Sequence, residues 1–143
     1  MDTDRPDVLF HMINGVPDPV APFSHAAEVD GWIFVTGQMP FTGASNTSPY
    51  PEGIRAQTRQ VMENLKRVLV GCGLGLENVV SARVFLTRFE EDYALMNEVY
   101  AEFFPPDRRP ARTCVGVTAL ARGARIEIDF IAYRGSKPRA RDA

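Results

Sequence analysis

Residues 112–133 read RTCVGVTALARGARIEIDFIAY, and this stretch decides the fold. It divides into two runs, 112–119 and 125–133, parted by a turn at Gly123, and each alternates with a period of two, as strands do. Val115 and Val117 alternate with Arg112, Cys114, Gly116 and Thr118. Ile126, Ile128 and Phe130 alternate with Glu127, Asp129 and Ile131. One face of the resulting sheet is uniformly apolar and suits a covering layer of helices. The other mixes charge with small and apolar groups, and Arg112 and Glu127 are both expected on it. A face of that kind fits burial against another subunit; the alternative is a solvated face of an antiparallel sheet.

Upstream, the period changes twice. Ile54, Val61, Leu65, Val68 and Cys72 recur at helical spacing, with Gly71 and Gly73 to stop the helix. Residues 79–87 read as a strand. Tyr93, Met96, Val99, Tyr100 and Phe103 mark a second amphipathic helix, closed by Pro105-Pro106. Further back, residues 24–29 and 32–36 read as strands joined at Asp30-Gly31, a strong hairpin signal. Residues 41–53 are rich in turn formers and read as a loop, and residues 8–13 are a candidate leading strand. The order is β-β-α-β-α-β-β. It predicts one α+β domain over 1–143, two helices on one face of a mixed sheet, an N-terminal segment over about 1–19 and a flexible tail over about 135–143.

Composition narrows the function. A net charge of −2 over 143 residues argues against nucleic acid as the main partner. The basic tail residues Arg134, Lys137, Arg139 and Arg141 read as a frayed end. No apolar run approaches a membrane span, and no signal-peptide pattern opens the chain, so a cytoplasmic protein is expected. His11 and His25 lie in no metal-ligand spacing, Ser24 lacks a nucleophile-elbow context, and no phosphate-binding glycine loop follows a strand. Cys72 reads as a small buried hydrophobe. Cys114 is expected beside Arg112, whose charge would favour the thiolate. Arg112 offers a planar donor fork matched to a carboxylate, and Glu127 can activate a water. A salt bridge between the two, or with Arg125 or Asp129, is the plainer alternative.

Pro110-Ala111-Arg112-Thr113-Cys114-Val115, followed by Leu120, Gly123 and Ile126-Glu127-Ile128, resembles the C-terminal signature of the RidA/YjgF (Rid) family. The likeness extends over about residues 20–135. It takes in Ala21-Pro22-Phe23-Ser24, Val35-Thr36-Gly37-Gln38, Gln57-Thr58-Arg59-Gln60, Glu63-Asn64 and Met96-Asn97-Glu98-Val99-Tyr100. The resemblance implies a chorismate-mutase-like fold and a homotrimer with ligand clefts between subunits. It also implies hydrolysis of enamines and imines such as 2-aminoacrylate to 2-keto acids and ammonia, without metal or cofactor. Arg112 would clamp the substrate carboxylate, backbone groups at Cys114 would orient the ligand, and Glu127 would position the water. Thr36 would line the cleft, with Asn97 close by. Phe23 departs from the family pattern, which has a tyrosine there. The ring is kept and its hydrogen bond lost, a change that favours a more apolar ligand. The alternative function is non-catalytic binding of a keto acid or amino acid in the same cleft. The ribonuclease activity sometimes attached to the family is opposed by the acidic charge and the lack of a basic, aromatic stripe.

Overall fold

The computed structural model describes residues 7–135, so 136–143 of the expected tail and 1–6 of the expected N-terminal segment lie outside the described residues. Its elements are β1 (Leu9–His11), β2 (Ala26–Val29), β3 (Trp32–Gln38), α1 (Ile54–Gly71), β4 (Val79–Leu86), α2 (Phe89–Ala101), β5 (Ala111–Gly116) and β6 (Ile126–Tyr133). The candidate leading strand is real and forms one edge of a six-stranded sheet ordered β1-β2-β3-β6-β4-β5. Its pairs are antiparallel except β4–β5, which runs parallel and makes the sheet mixed.

Local chemistry sets the element ends. Asp30 (φ 51) and Gly31 (φ 84) both take positive φ, which the tight β2–β3 hairpin requires. Helix α1 closes through Gly73 (φ 78): the Gly73 amide donates to the Val70 carbonyl at 2.9 Å and the Leu74 amide to Leu69 at 2.8 Å, a glycine-based C-cap. Helix α2 begins earlier than its apolar spacing alone indicates. Glu90, Glu91 and Asp92 occupy its first turn, where carboxylates favour the positive end of the helix dipole.

The core lies between one sheet face and the two helices. Ile33, Val35, Val84, Ile126, Ile128 and Phe130 meet Val61, Met62, Leu65, Val68 and Leu69 of α1, all buried. Several polar groups inside this layer are partnered, while the buried Tyr100 hydroxyl has no hydrogen-bond partner among the described residues. Asp92 is fully buried and accepts from Arg125 Nε at 3.0 Å, tying the start of α2 to the start of β6. Buried His25 accepts the Ile13 amide at Nδ1 (2.8 Å) and donates from Nε2 to the Pro17 carbonyl (2.9 Å), which makes it a strut for the N-terminal segment. Arg134, expected in a frayed end, is ordered: it pairs with Glu28 at 2.8 Å and donates to the Cys72 carbonyl at 2.9 Å.

One expectation is corrected by the register. β5 pairs with β4 so that Arg112 lies beside Ala82 and Cys114 beside Val84, both on the helix-covered face. Glu127 and Asp129 lie beside Phe85 and Arg83 on the opposite face. Arg112 and Glu127 therefore do not share a face. Alternation within a strand sorts its residues into two sets without saying which set points inward, and a shift of one residue in pairing exchanges them.

Candidate active site

Glu127 is placed by a β-bulge. Between β3 and β6 the register runs from Val35↔Phe130 to Gln38↔Ile128, so Thr36 and Gly37 together oppose Asp129. The bulge brings the Gly37 backbone under the Glu127 side chain, so close that a Cβ at position 37 would overlap the carboxyl group. After the bulge the chain is held by buried Asn64 of α1, whose amide donates to the carbonyls of Met39 (3.1 Å) and Phe41 (2.8 Å).

The electrostatics at Glu127 raise its pKa above that of an ordinary glutamate. Burial pushes its pKa up, neighbouring Asp129 adds to the rise, and Arg83 opposes it. Arg83 is already engaged by Asp129, with Nε 3.0 Å from Oδ1 and Nη2 2.6 Å from Oδ2, which limits what it offers Glu127. A carboxyl raised in this way is better matched to proton transfer near neutral pH than an ordinary surface glutamate.

A groove of about 530 Å³ lies on the same face and takes in the bulge residues Thr36 and Gly37. Its lining includes Phe23, Thr36 and Gly37, with Phe10 and Phe34 as further apolar walls and the Arg83–Asp129 pair on one side. Thr36 is half-buried, its amide donating to the His25 carbonyl at 3.0 Å.

Arg112, Cys114 and Asn97 form a second group, at the edge strand under α2. The Arg112 guanidinium lies 4.9 Å from the Tyr100 ring centre and 5.9 Å from that of Tyr93. Nη2 stands 3.5 Å from the Tyr93 hydroxyl. Stacking on aromatic faces holds the fork in place without a carboxylate partner, and leaves its charge available to an anion. Asn97 is half-buried on the helical stripe that carries Tyr93 and Tyr100. The Cys114 thiol is pushed up by burial, with Arg112 opposing, so the expected bias toward thiolate is reversed. The salt-bridge alternative is resolved differently from each expected pairing: Arg83 takes Asp129 and Arg125 takes Asp92, and among the described residues neither Arg112 nor Glu127 has an ion-pair partner.

Sequence reasoning missed Gly37, Arg83, Asp129, Phe10, Phe34 and Asn64 as parts of the site. Gly37 had a signal, since an isolated glycine in a strand pattern marks a bulge or a close approach. Arg83, Asp129, Phe10 and Phe34 became visible only through pairing across strands, and Asn64 only through the contact of α1 with the chain after the bulge.

A glycine-bulged sheet with a raised carboxyl on its open face and a stacked arginine at its edge defines a small α+β domain whose candidate site is divided between that face and that edge. The chain belongs to the Rid family, whose model, described as Endoribonuclease L-PSP, matches residues 14–134. It is 40% identical over 129 residues to a RutC family protein of Pyrococcus horikoshii, covering 90% of this chain and 98% of that one. The structure of YyfA from Yersinia pestis, a protein of unknown function of the conserved Rid family, is 31% identical with a TM-score of 0.81, over 89% of this chain and 99% of that one. E. coli TdcF with bound serine is 30% identical with a TM-score of 0.78, over 87% and 99%. The chorismate-mutase-like fold is thereby shared with solved relatives. Among the described residues no helix is long and apolar enough to cross a membrane.

Proposed function

We propose that this protein hydrolyses reactive 2-imino and 2-enamino acids, including 2-aminoacrylate, to 2-keto acids and ammonia in the cytoplasm. The observation that carries the reading is the Glu127 carboxyl, its pKa raised by burial, which lies against Gly37 in the wall of an open groove. An enamine first tautomerises to the imine, a proton moving from nitrogen to carbon 3. Water adds to the electrophilic imine carbon while Glu127 takes its proton. Glu127 passes that proton to the imine nitrogen, giving the carbinolamine. The carbinolamine hydroxyl proton then moves to nitrogen, the carbon–nitrogen bond breaks, and ammonia leaves as the carbonyl forms. Such a reaction asks for little beyond orientation and a positioned base, the latter contributing roughly 10²–10⁴-fold.

In this reading Arg112, at the open edge of the sheet, holds the substrate carboxylate in a cleft that a neighbouring copy completes. The protein is then a homotrimer. Exposed apolar side chains on the sheet face away from the helices, Trp32, Phe34 and Val115 among them, support a covering partner. The alternative, a non-catalytic binder of an amino acid or keto acid, draws support from the serine bound in E. coli TdcF. A ribonuclease reading is opposed by the arginines' engagement with carboxylates, as in Arg55–Glu98, Arg59–Glu102 and Arg83–Asp129.

A coupled assay tests the proposal. A serine dehydratase supplies 2-aminoacrylate, and this protein should speed the appearance of pyruvate. Binding of small carboxylates without acceleration would select the non-catalytic reading. Light scattering after gel filtration should give the mass of three chains, and a fully active monomer would contradict the shared cleft.

A further inference from the structure

We infer that the cavity between the β5–β6 turn and the loop over residues 41–53 is a seat for a small oxyanion, a phosphate or carboxylate group, held by Arg122 and Tyr50. This seat is distinct from both Arg112 and the Glu127 groove, and its ligand binds whether or not the chain hydrolyses imines.

Two loops supply the donors. The cavity, of about 280 Å³, is lined by Phe41, Thr47, Ser48, Pro49, Tyr50 and Arg122. Its lining carries one guanidinium and three hydroxyls, and no carboxylate. Arg122 holds a left-handed backbone (φ 58) in the turn between β5 and β6. Glycine takes that conformation freely and other residues resist it, so a large charged side chain is kept there at a conformational cost. Its Nη1 donates to the Asn46 carbonyl at 3.3 Å, across the two loops. Arg55, Arg59, Arg83, Arg125 and Arg134 each pair with a carboxylate, whereas Arg122 has no ion-pair partner among the described residues.

The Tyr50 ring packs on Phe41, 4.9 Å between centres, which fixes its place. Its hydroxyl makes only long contacts, 3.4 Å to the Ala121 carbonyl and 3.8 Å to Met39 Sδ, and remains available to donate. Burial pushes the phenol's pKa up against the opposing charge of Arg122, so it keeps its proton at neutral pH. Ser48 Oγ accepts the Thr42 amide at 3.0 Å, which leaves its own hydroxyl hydrogen free. A charged fork beside neutral hydroxyl donors, with no competing carboxylate, matches an oxyanion and repels a cation. A single guanidinium suits a small anion better than a polyanion, which needs several cations in a row. The oxyanion comes either from free phosphate or from the far acid group of a longer metabolite.

Amide NMR spectra of the full-length protein at low ionic strength, titrated with inorganic phosphate, pyruvate and 2-oxoglutarate, test the seat. Phosphate should shift the amides of residues 46–50 and 121–124 saturably. Arg122→Asn places there a residue that tolerates the left-handed backbone, and should weaken phosphate at these loops about tenfold or more, the scale of a lost charge-assisted hydrogen bond. Tyr50→Phe keeps the ring and should weaken it about threefold or more. Arg112→Lys should leave these shifts as they are. Weakening of phosphate alone by Arg122→Asn identifies a free anion; weakening of 2-oxoglutarate but not pyruvate identifies the far acid group of a metabolite. Phosphate shifts that do not saturate at these loops, or an unchanged affinity in folded Arg122→Asn, would overturn the seat. Should Arg122→Asn fail to fold, an unchanged affinity in Tyr50→Phe overturns it equally.

Discussion

The Glu127 side chain lies directly against the backbone of Gly37, in space that any larger residue at position 37 would occupy. Two residues brought together by the β3–β6 bulge thus set where the site's carboxyl stands, and each can be varied on its own.

Gly37 does not occupy the left-handed region, so alanine there meets no backbone strain. Its methyl group collides instead with the Glu127 carboxyl. Gly37→Ala should lower kcat/KM for imine hydrolysis by about 100-fold, the scale of a misplaced catalytic group, while the melting temperature moves by only a few degrees. Unimpaired hydrolysis would show that the position of Glu127 over Gly37 is immaterial to chemistry.

Glu127→Gln separates chemistry from stability. The folded state holds the Glu127 proton more tightly than the unfolded chain does, through burial and Asp129. Its contribution to stability is therefore fully present below the ordinary glutamate pKa of 4.5 and is lost as pH rises through the raised value. Glutamine removes this decline. The variant should be more stable than wild type at pH 7, with the difference closing below about pH 4, and hydrolysis should fall by about 10²–10⁴-fold with ligand binding kept. Thermal melts across pH 4–8 decide the matter. A variant less stable at pH 7 would identify Glu127 as a structural partner.

Arg112→Lys keeps the charge and loses the fork stacked on Tyr100. Affinity for a small carboxylate should drop by about 2–5 kcal/mol, the range for truncating a desolvated charged contact. Titration with pyruvate measures it, and near-normal affinity in a folded variant would remove Arg112 from the ligand site.

Glu28 should matter in acid. Hydrogen bonds from Arg134, and secondarily His11, hold its carboxyl at about 2 against an ordinary 4.5. The stability this contributes is present above pH 4.5 and lost as pH falls toward 2. Because Arg134 is partly open to solvent, the contribution at pH 7 is about 1–2 kcal/mol. Glu28→Gln should lose that amount at pH 7 and match wild type near pH 2 in urea titrations.

Element types were legible in the sequence because their causes are local. The period of 3.6 in Ile54, Val61, Leu65 and Val68, the Asp30-Gly31 turn and the alternation of Ile126, Ile128 and Phe130 each act within a few residues. The residue types at the site were legible too, through Arg112 and Glu127 and the motif around them.

Where those residues point was decided only by tertiary structure. The pairing of Ala82 with Arg112 turns the arginine under α2, and the pairing of Phe85 with Glu127 turns the glutamate to the open face. The row Phe10–Ala27–Phe34 joins residues separated by 17 and 7 positions, which no local pattern connects. Register is a property of two strands at once, and a single strand's sequence specifies its alternation but not its partner.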